Sequence, residues 1–166
     1  MRFDATIDYP ADIDRVARML SDEEFVRAKI AATGALDSTL EVSRDGDAFT
    51  VTTRRQLPTD QVPAKFRSFV GQCLDVRLVE AWQAPGPDGA RNGTLAIDIV
   101  GVPVRVAGRM TLVPGAQGSV QTISGDITAS IPLFGGPIEK AAAGAVGKVT
   151  AVERRIGLEY LAAHPD

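Results

Sequence analysis

Ile131-Pro132-Leu133-Phe134-Gly135-Gly136-Pro137-Ile138-Glu139 closes a run of strand-like segments and opens one long amphipathic helix. At the 3.6-residue period, Ile138, Ala142, Ala145, Val149, Val152, Ile156, Tyr160 and Ala163 fall on one narrow stripe. Lys140, Lys148, Arg154 and Arg155 point away from it. Pro137 suits the first helical position, Glu139 suits the positive first turn, and Pro165 marks the stop. Gly144 and Gly147 lie opposite the stripe, where each costs about 1 kcal/mol relative to alanine. Two readings stay open there: close approach of another surface, such as a second copy in a homodimer, or an exposed face free of constraint.

The segments before this helix alternate with period two. Phe3, Ala5 and Ile7 alternate with charged and polar neighbours, and Tyr9-Pro10 stops that strand. Ile13, Val16, Ala17 and Leu20 then follow helical spacing. Ser21 with Glu24 makes a capping box for a second helix, which carries Phe25, Ala28 and Ala32 on one face and ends at Gly34. Leu40 and Val42 open a hairpin that turns at Arg44-Asp45-Gly46-Asp47 and returns through Phe49, Val51, Thr53, Arg55 and Leu57. Further strands cover 75–83, 93–100, 104–113 and 119–130, joined by Pro- and Gly-rich turns. Such tight connections imply antiparallel pairing, since parallel neighbours need a crossover of about a dozen residues or more. The pattern predicts an α+β fold: about seven strands in a curved antiparallel sheet, in the order β-α-α-β-β-β-β-β-β-α, wrapped on the C-terminal helix.

Composition narrows the function classes. The chain has 166 residues, 45% of them hydrophobic, and a net charge of −3, with no basic stripe of the kind nucleic acid requires. One cysteine, Cys73, rules out an intramolecular disulfide and argues against a thiolate metal cluster; it reads as buried and inert. Neither a signal-peptide core nor an apolar run of about 18 residues is present, so the expectation is a cytoplasmic protein without stable membrane insertion. The sole histidine, His164, lies in what reads as a frayed and chemically idle tail. The Gly135-Gly136 pair lacks the surrounding residues of a phosphate-binding loop and reads as hinge and cap chemistry. The residues point to no cofactor, no metal and no assigned catalytic residue. Asp98 alternates to the outer face and reads as solvated.

Laid out in this order, the chain resembles the START-like or SRPBCC superfamily of helix-grip proteins. That superfamily includes lipid-transfer START domains, pollen-allergen-like plant proteins and aromatic polyketide cyclases. More narrowly, it is similar to an actinobacterial family of unknown function within the group. The resemblance rests on Tyr9-Pro10, Phe69-Val70-Gly71, Glu80-Ala81-Trp82, 108–114 and 131–139, and it makes residues 1–166 a single domain. It implies a cavity between sheet and C-terminal helix that takes a hydrophobic small molecule or lipid.

The residues add their own case for that cavity. Small Ala142 and Ala145 face a concave sheet; either they leave volume unfilled or they let the helix sit close over a dry core. Candidate ligand-binding residues are Phe49, Val51, Thr53 and Arg55 on one strand and Leu78, Glu80 and Trp82 on the next. Ile97, Met110 and Ile127 come from later strands, with Ala142, Ala145 and Val149 from the helix. Arg55 and Glu80 both share an inward face; they either approach each other, bind a polar ligand group, or sit near strand ends in solvent. Trp82 brings an indole N–H that calls for a partner. Residues 58–71 read as a short helix mixing aromatic and basic side chains, which serves as a connector, a lid or a membrane contact. Three functional readings follow: a carrier of a hydrophobic molecule, a polyketide cyclase- or dehydratase-like enzyme using Glu80 and Arg55, and a protein-interaction scaffold.

Overall fold

Period-two alternation builds the strands here because one face is covered and the other wet, although β2, at the sheet edge, has no fully buried residue. The computed structural model describes residues 1–166, the side chain of residue 61 excepted. Strand β1 (Arg2–Tyr9) leads into helices α1 (Ile13–Leu20) and α2 (Glu23–Ala32). Strands β2 (Asp37–Asp45), β3 (Ala48–Pro58), β4 (Cys73–Trp82), β5 (Arg91–Ile99), β6 (Val102–Gly115) and β7 (Gly118–Ala129) follow, and α3 (Gly135–Ala163) closes the chain. All neighbours are antiparallel in the order β1-β7-β6-β5-β4-β3-β2. The helical pair α1–α2 therefore carries the chain from one sheet edge to the other. The expected element order and strand number hold.

Local details differ from the sequence expectation where a competing partner wins. The cap of α2 is Asp22, whose carboxylate accepts the Glu24 N–H at 2.8 Å. Ser21 instead ends α1, donating to the Arg18 carbonyl at 3.2 Å and accepting from Arg44 at 3.0 Å. The buried face of α2 is Phe25, Val26, Lys29 and Ile30, with Ala28 and Ala32 exposed. Residues 58–71 form two 3-10 turns, Thr59–Gln61 and Ala64–Phe69; Phe66 is buried, and Phe69 lies against Phe134 with ring centroids 5.0 Å apart. Cys73 is half-buried, and Asp98 pairs with Arg105 at 2.8 Å on the outer face.

The core sits between the concave sheet and all three helices. Ile7, Tyr9, Val16, Met19, Phe25, Phe49, Trp82, Leu112, Ile156 and Leu161 form one continuous cluster. Helix α3 starts at Gly135, two residues ahead of Pro137, whose missing N–H falls among those that have no intrahelical partner anyway. Glu139 accepts the Ala129 N–H at 2.9 Å, which ties the start of α3 to the end of β7 and holds its carboxyl below the usual range. At the other end Gly157 is buried against the Tyr9 ring. His164 is not idle: it stacks on Tyr160 with centroids 4.0 Å apart and pairs with Glu24 at 3.0 Å. Tyr160 in turn donates to Asp22, and burial, with that bond, pushes its phenol up to about 12. Gly144 and Gly147 face open space, with nothing in the chain close to them.

Two glycines in the same helix should therefore respond oppositely to alanine. A Cβ on Gly157 would lie 2.6 Å from the Tyr9 ring, so Gly157→Ala should lose about 1–3 kcal/mol through overpacking. Gly144→Ala should gain about 1 kcal/mol from helix propensity alone. Urea unfolding of the two variants checks both signs.

Candidate functional site

The stripe on α3 covers the sheet unevenly, because its first half is small and its second half bulky. Ile156, Gly157 and Leu161 are buried, whereas Ala145 is exposed and Val149 is 63% exposed. Between the two tied ends of the helix lies a cavity of about 220 Å³. Its sheet wall is Phe3 and Ala5 of β1, Leu78 of β4, Leu95 and Ile97 of β5, Val106 and Met110 of β6, and Ile123 and Ile127 of β7. Its helix wall runs from Ala142 through Ala145, Val146, Val149 and Thr150 to Glu153, about 16 Å of helix at 1.5 Å per residue.

Polar side chains gather at one end. Glu80, Gln121 and Glu153 join the lining there, near the part of α3 that packs on Tyr9. Behind them Lys29 of α2 stands between the two carboxylates, 3.6 Å from Glu80 and 3.5 Å from Glu153. Burial alone would depress the Lys29 ammonium, but Glu153 and Glu80 together outweigh it and raise it. Burial lifts the Glu153 carboxyl above the usual range, with Lys29 opposing. Burial likewise lowers the Arg55 guanidinium against the pull of Glu80 and Glu153, and it raises the buried Tyr9 phenol. Two cations and two carboxylates thus balance within one buried cluster.

Comparison with known proteins places this architecture. A family model described as protein of unknown function (DUF2505) matches residues 4–161. The chain belongs to this family. An uncharacterised protein of Mycobacterium tuberculosis is 27% identical over 161 residues, covering 92% of each chain. Among solved structures, a STAR-related lipid transfer protein fragment from Xanthomonas axonopodis matches with a TM-score of 0.52 at 19% identity, over 92% of this chain and 84% of that one. The Zhui aromatase/cyclase from a Streptomyces species matches with a TM-score of 0.58 at 10% identity, over 96% and 92%. At such identities the likeness establishes the START-like helix-grip fold of this DUF2505 member. Among the described residues no helix is long and apolar enough to cross a membrane.

Of the residues expected to bind a ligand, Leu78, Glu80, Ile97, Met110, Ile127, Ala142, Ala145 and Val149 line the cavity. Phe49, Val51, Thr53, Arg55 and Trp82 do not. Phe49, Val51 and Trp82 instead pack in the core beside residues of α1 and α2, because β3 lies next to the sheet edge farthest from β1, where α3 makes its closest sheet contacts. Thr53 is buried with its hydroxyl unpaired, and the Trp82 indole N–H also lacks a partner. No Arg55–Glu80 ion pair forms. The register sets Arg55 opposite Val76 and Glu80 opposite Val51, four residues apart along β4, and Lys29 takes the carboxylate instead. Glu80 lies two residues from the end of β4 and Arg55 three from the end of β3, yet Glu80 is only 8% exposed and Arg55 is half-buried, so neither stands free in solvent. No residue of 58–71 whose side chain is described lines the cavity, which leaves the lid reading without support.

Lys29, Gln121 and Glu153 escaped the sequence reading. Gln121 shares the inward face of β7 with Ile123 and Ile127, so strict alternation could have found it. Glu153 follows Val146 and Val149 by seven and four residues, a helical signal that its charge obscured.

Removing Lys29 should expose the cost of that cluster. Lys29→Met leaves two buried carboxylates with only Arg55 to balance them and should lose about 3–5 kcal/mol at pH 8. The raised Glu153 carboxyl favours the protonated folded form, so its contribution is present at low pH and lost as pH rises through its folded value. The stability gap between wild type and Lys29→Met should therefore narrow from pH 8 to pH 5, measured by denaturant unfolding at each pH.

Proposed function

We propose that this protein binds and carries a hydrophobic small molecule or lipid in the cavity beneath α3. The observation that carries this reading is the cavity itself: apolar side chains line it except at its polar end, and the helix above is tied down at both ends rather than collapsed into it. Its size bears on the occupant. An engineered apolar cavity of about 150 Å³ holds benzene. The roughly 220 Å³ here suits a fused bicyclic ring or one end of a single chain, with exposed Ala145 and Val149 at the rim where the remainder could protrude. The fold shared with a STAR-related lipid transfer protein supports this reading without identifying the ligand.

A second reading, an enzyme of the cyclase or dehydratase kind, is favoured by one specific observation. Glu80 and Glu153 converge on the same end of the cavity, and burial keeps Glu153 protonated to higher pH than an ordinary carboxyl. Such a pair can hold and pass a proton. Arg55 could act only through the cluster, since it does not line the cavity. A scaffold reading would leave the cavity without a use.

Native mass spectrometry of freshly purified protein, followed by organic extraction, tests the carrier reading. It should show a noncovalent adduct that extraction releases as an apolar molecule. Ala142→Trp should fill the cavity, abolish the adduct and weaken binding of a neutral apolar dye about tenfold or more, without lowering the melting temperature. Wild-type protein that carries nothing and binds no such dye would count decisively against carriage.

A further inference from the structure

The cavity's polar end is chemically one-sided. Gln121 is 1% exposed, lines the cavity, and its amide oxygen has no hydrogen-bond partner. Its strand neighbours cannot supply one from their side chains, because it sits opposite Ile7 on β1 and Leu112 on β6, both fully buried hydrocarbons. The other polar side chains of the lining are already engaged. Lys29 engages one oxygen of Glu80 and one of Glu153 from outside the lining, and the Thr150 hydroxyl donates to its own helix at Val146. Apart from the Gln121 amide nitrogen and the Glu153 carboxyl in its protonated form, the lining side chains hold no free donor, and the unpaired Tyr9 hydroxyl lies outside the lining.

Buried acceptors without donors call for a ligand that brings a donor. Charge then selects among donors. An anionic head group would meet two carboxylates, while the cations of the cluster, Lys29 and Arg55, stand outside the lining. A cationic head group would add an unbalanced charge to a cluster whose two cations already match its two carboxylates. A neutral hydroxyl meets neither obstacle, and it can donate to the Gln121 oxygen while accepting from the same carboxamide. We propose that Gln121 reads a hydroxyl on the buried end of the ligand, so that the preferred occupant is a neutral alcohol or phenol with a compact apolar body. This inference rests on the cavity-binding reading and goes beyond it in fixing the ligand's head group.

A matched set of bicyclic probes tests it by titration calorimetry at pH 7: naphthalene, 2-naphthol, 2-methoxynaphthalene and 2-naphthoate. Without a hydrogen bond, naphthalene should bind best, since it loses the least on leaving water. With Gln121 as reader, 2-naphthol should bind about tenfold tighter than naphthalene or the methyl ether, and 2-naphthoate should bind weakest. Gln121→Leu should reverse the order of 2-naphthol and naphthalene, and Gln121→Met, checked for a cooperative melt, repeats the test with another unbranched side chain. Naphthalene binding as tightly as 2-naphthol to wild type would overturn the hydroxyl assignment while leaving cavity binding intact. So would a preference for 2-naphthol that survives both substitutions. Failure of all four probes to bind would overturn the assignment together with the cavity reading.

Discussion

The contact between Gly157 and the Tyr9 ring sets how α3 lies on the sheet. Only a residue without a Cβ lets the helix axis approach so closely there. Ile156 and Leu161 are buried on either side of that contact, and Arg15 reaches the Leu161 and His164 carbonyls at 3.3 and 3.0 Å. At the other end Glu139 holds the helix to β7 through the Ala129 N–H. Between these two fixed ends the helix stands off the curved sheet. Small Ala142 and Ala145 occupy that middle span, so the gap persists as a cavity instead of being filled from above.

The buried charges work on the same geometry. Lys29 contacts a strand and a helix at once, since Glu80 is on β4 and Glu153 on α3. Such a cluster is weak evidence for added stability, because desolvating four charges offsets most of their attraction. Its effect is positional. Removing any one member leaves an uncompensated charge in a buried site, so α2, β4 and α3 are held to a single mutual arrangement. Lys29 also lies 5.0 Å from the Phe25 ring centroid, which gives the ammonium an aromatic face where water would otherwise solvate it.

Much of this fold was legible in the sequence because two periods carry it. Alternation placed the inward faces of β1 and β3 to β7, and Phe3, Ile7, Phe49, Val51 and Met110 are where it put them. The helical stripe located α3, yet it missed which residues point inward along it. Val149 is apolar but stands at the rim, while Thr150 and Glu153 are polar and face in. A hydrophobic wheel assumes that the core is apolar all the way along, and that assumption fails beside a cavity with a polar end. Pairing failed for a related reason. Arg55 and Glu80 share a face, but sharing a face says nothing of separation along a strand; the register does. Lys29 was invisible because a lysine on an amphipathic helix is ordinarily solvated, and only the facing carboxylates of two distant elements make its burial tolerable.

Two of the places where this sequence gives up stability coincide. An unfilled cavity forfeits the packing contacts that its lining would otherwise make, and an unpaired Gln121 oxygen forfeits a hydrogen bond. Larger residues at Ala142 and an apolar one at Gln121 would repair both, and neither change requires a different backbone. Natural sequences retain such local inconsistencies mainly where function depends on them. An occupant of the cavity would recover both losses, and the folded protein would then gain stability with the logarithm of the occupant's concentration over its dissociation constant. The constraint that opened the gap, a helix fixed at its ends, also preserves it. Binding then needs no rearrangement of the sheet, only passage past the exposed rim at Ala145 and Val149.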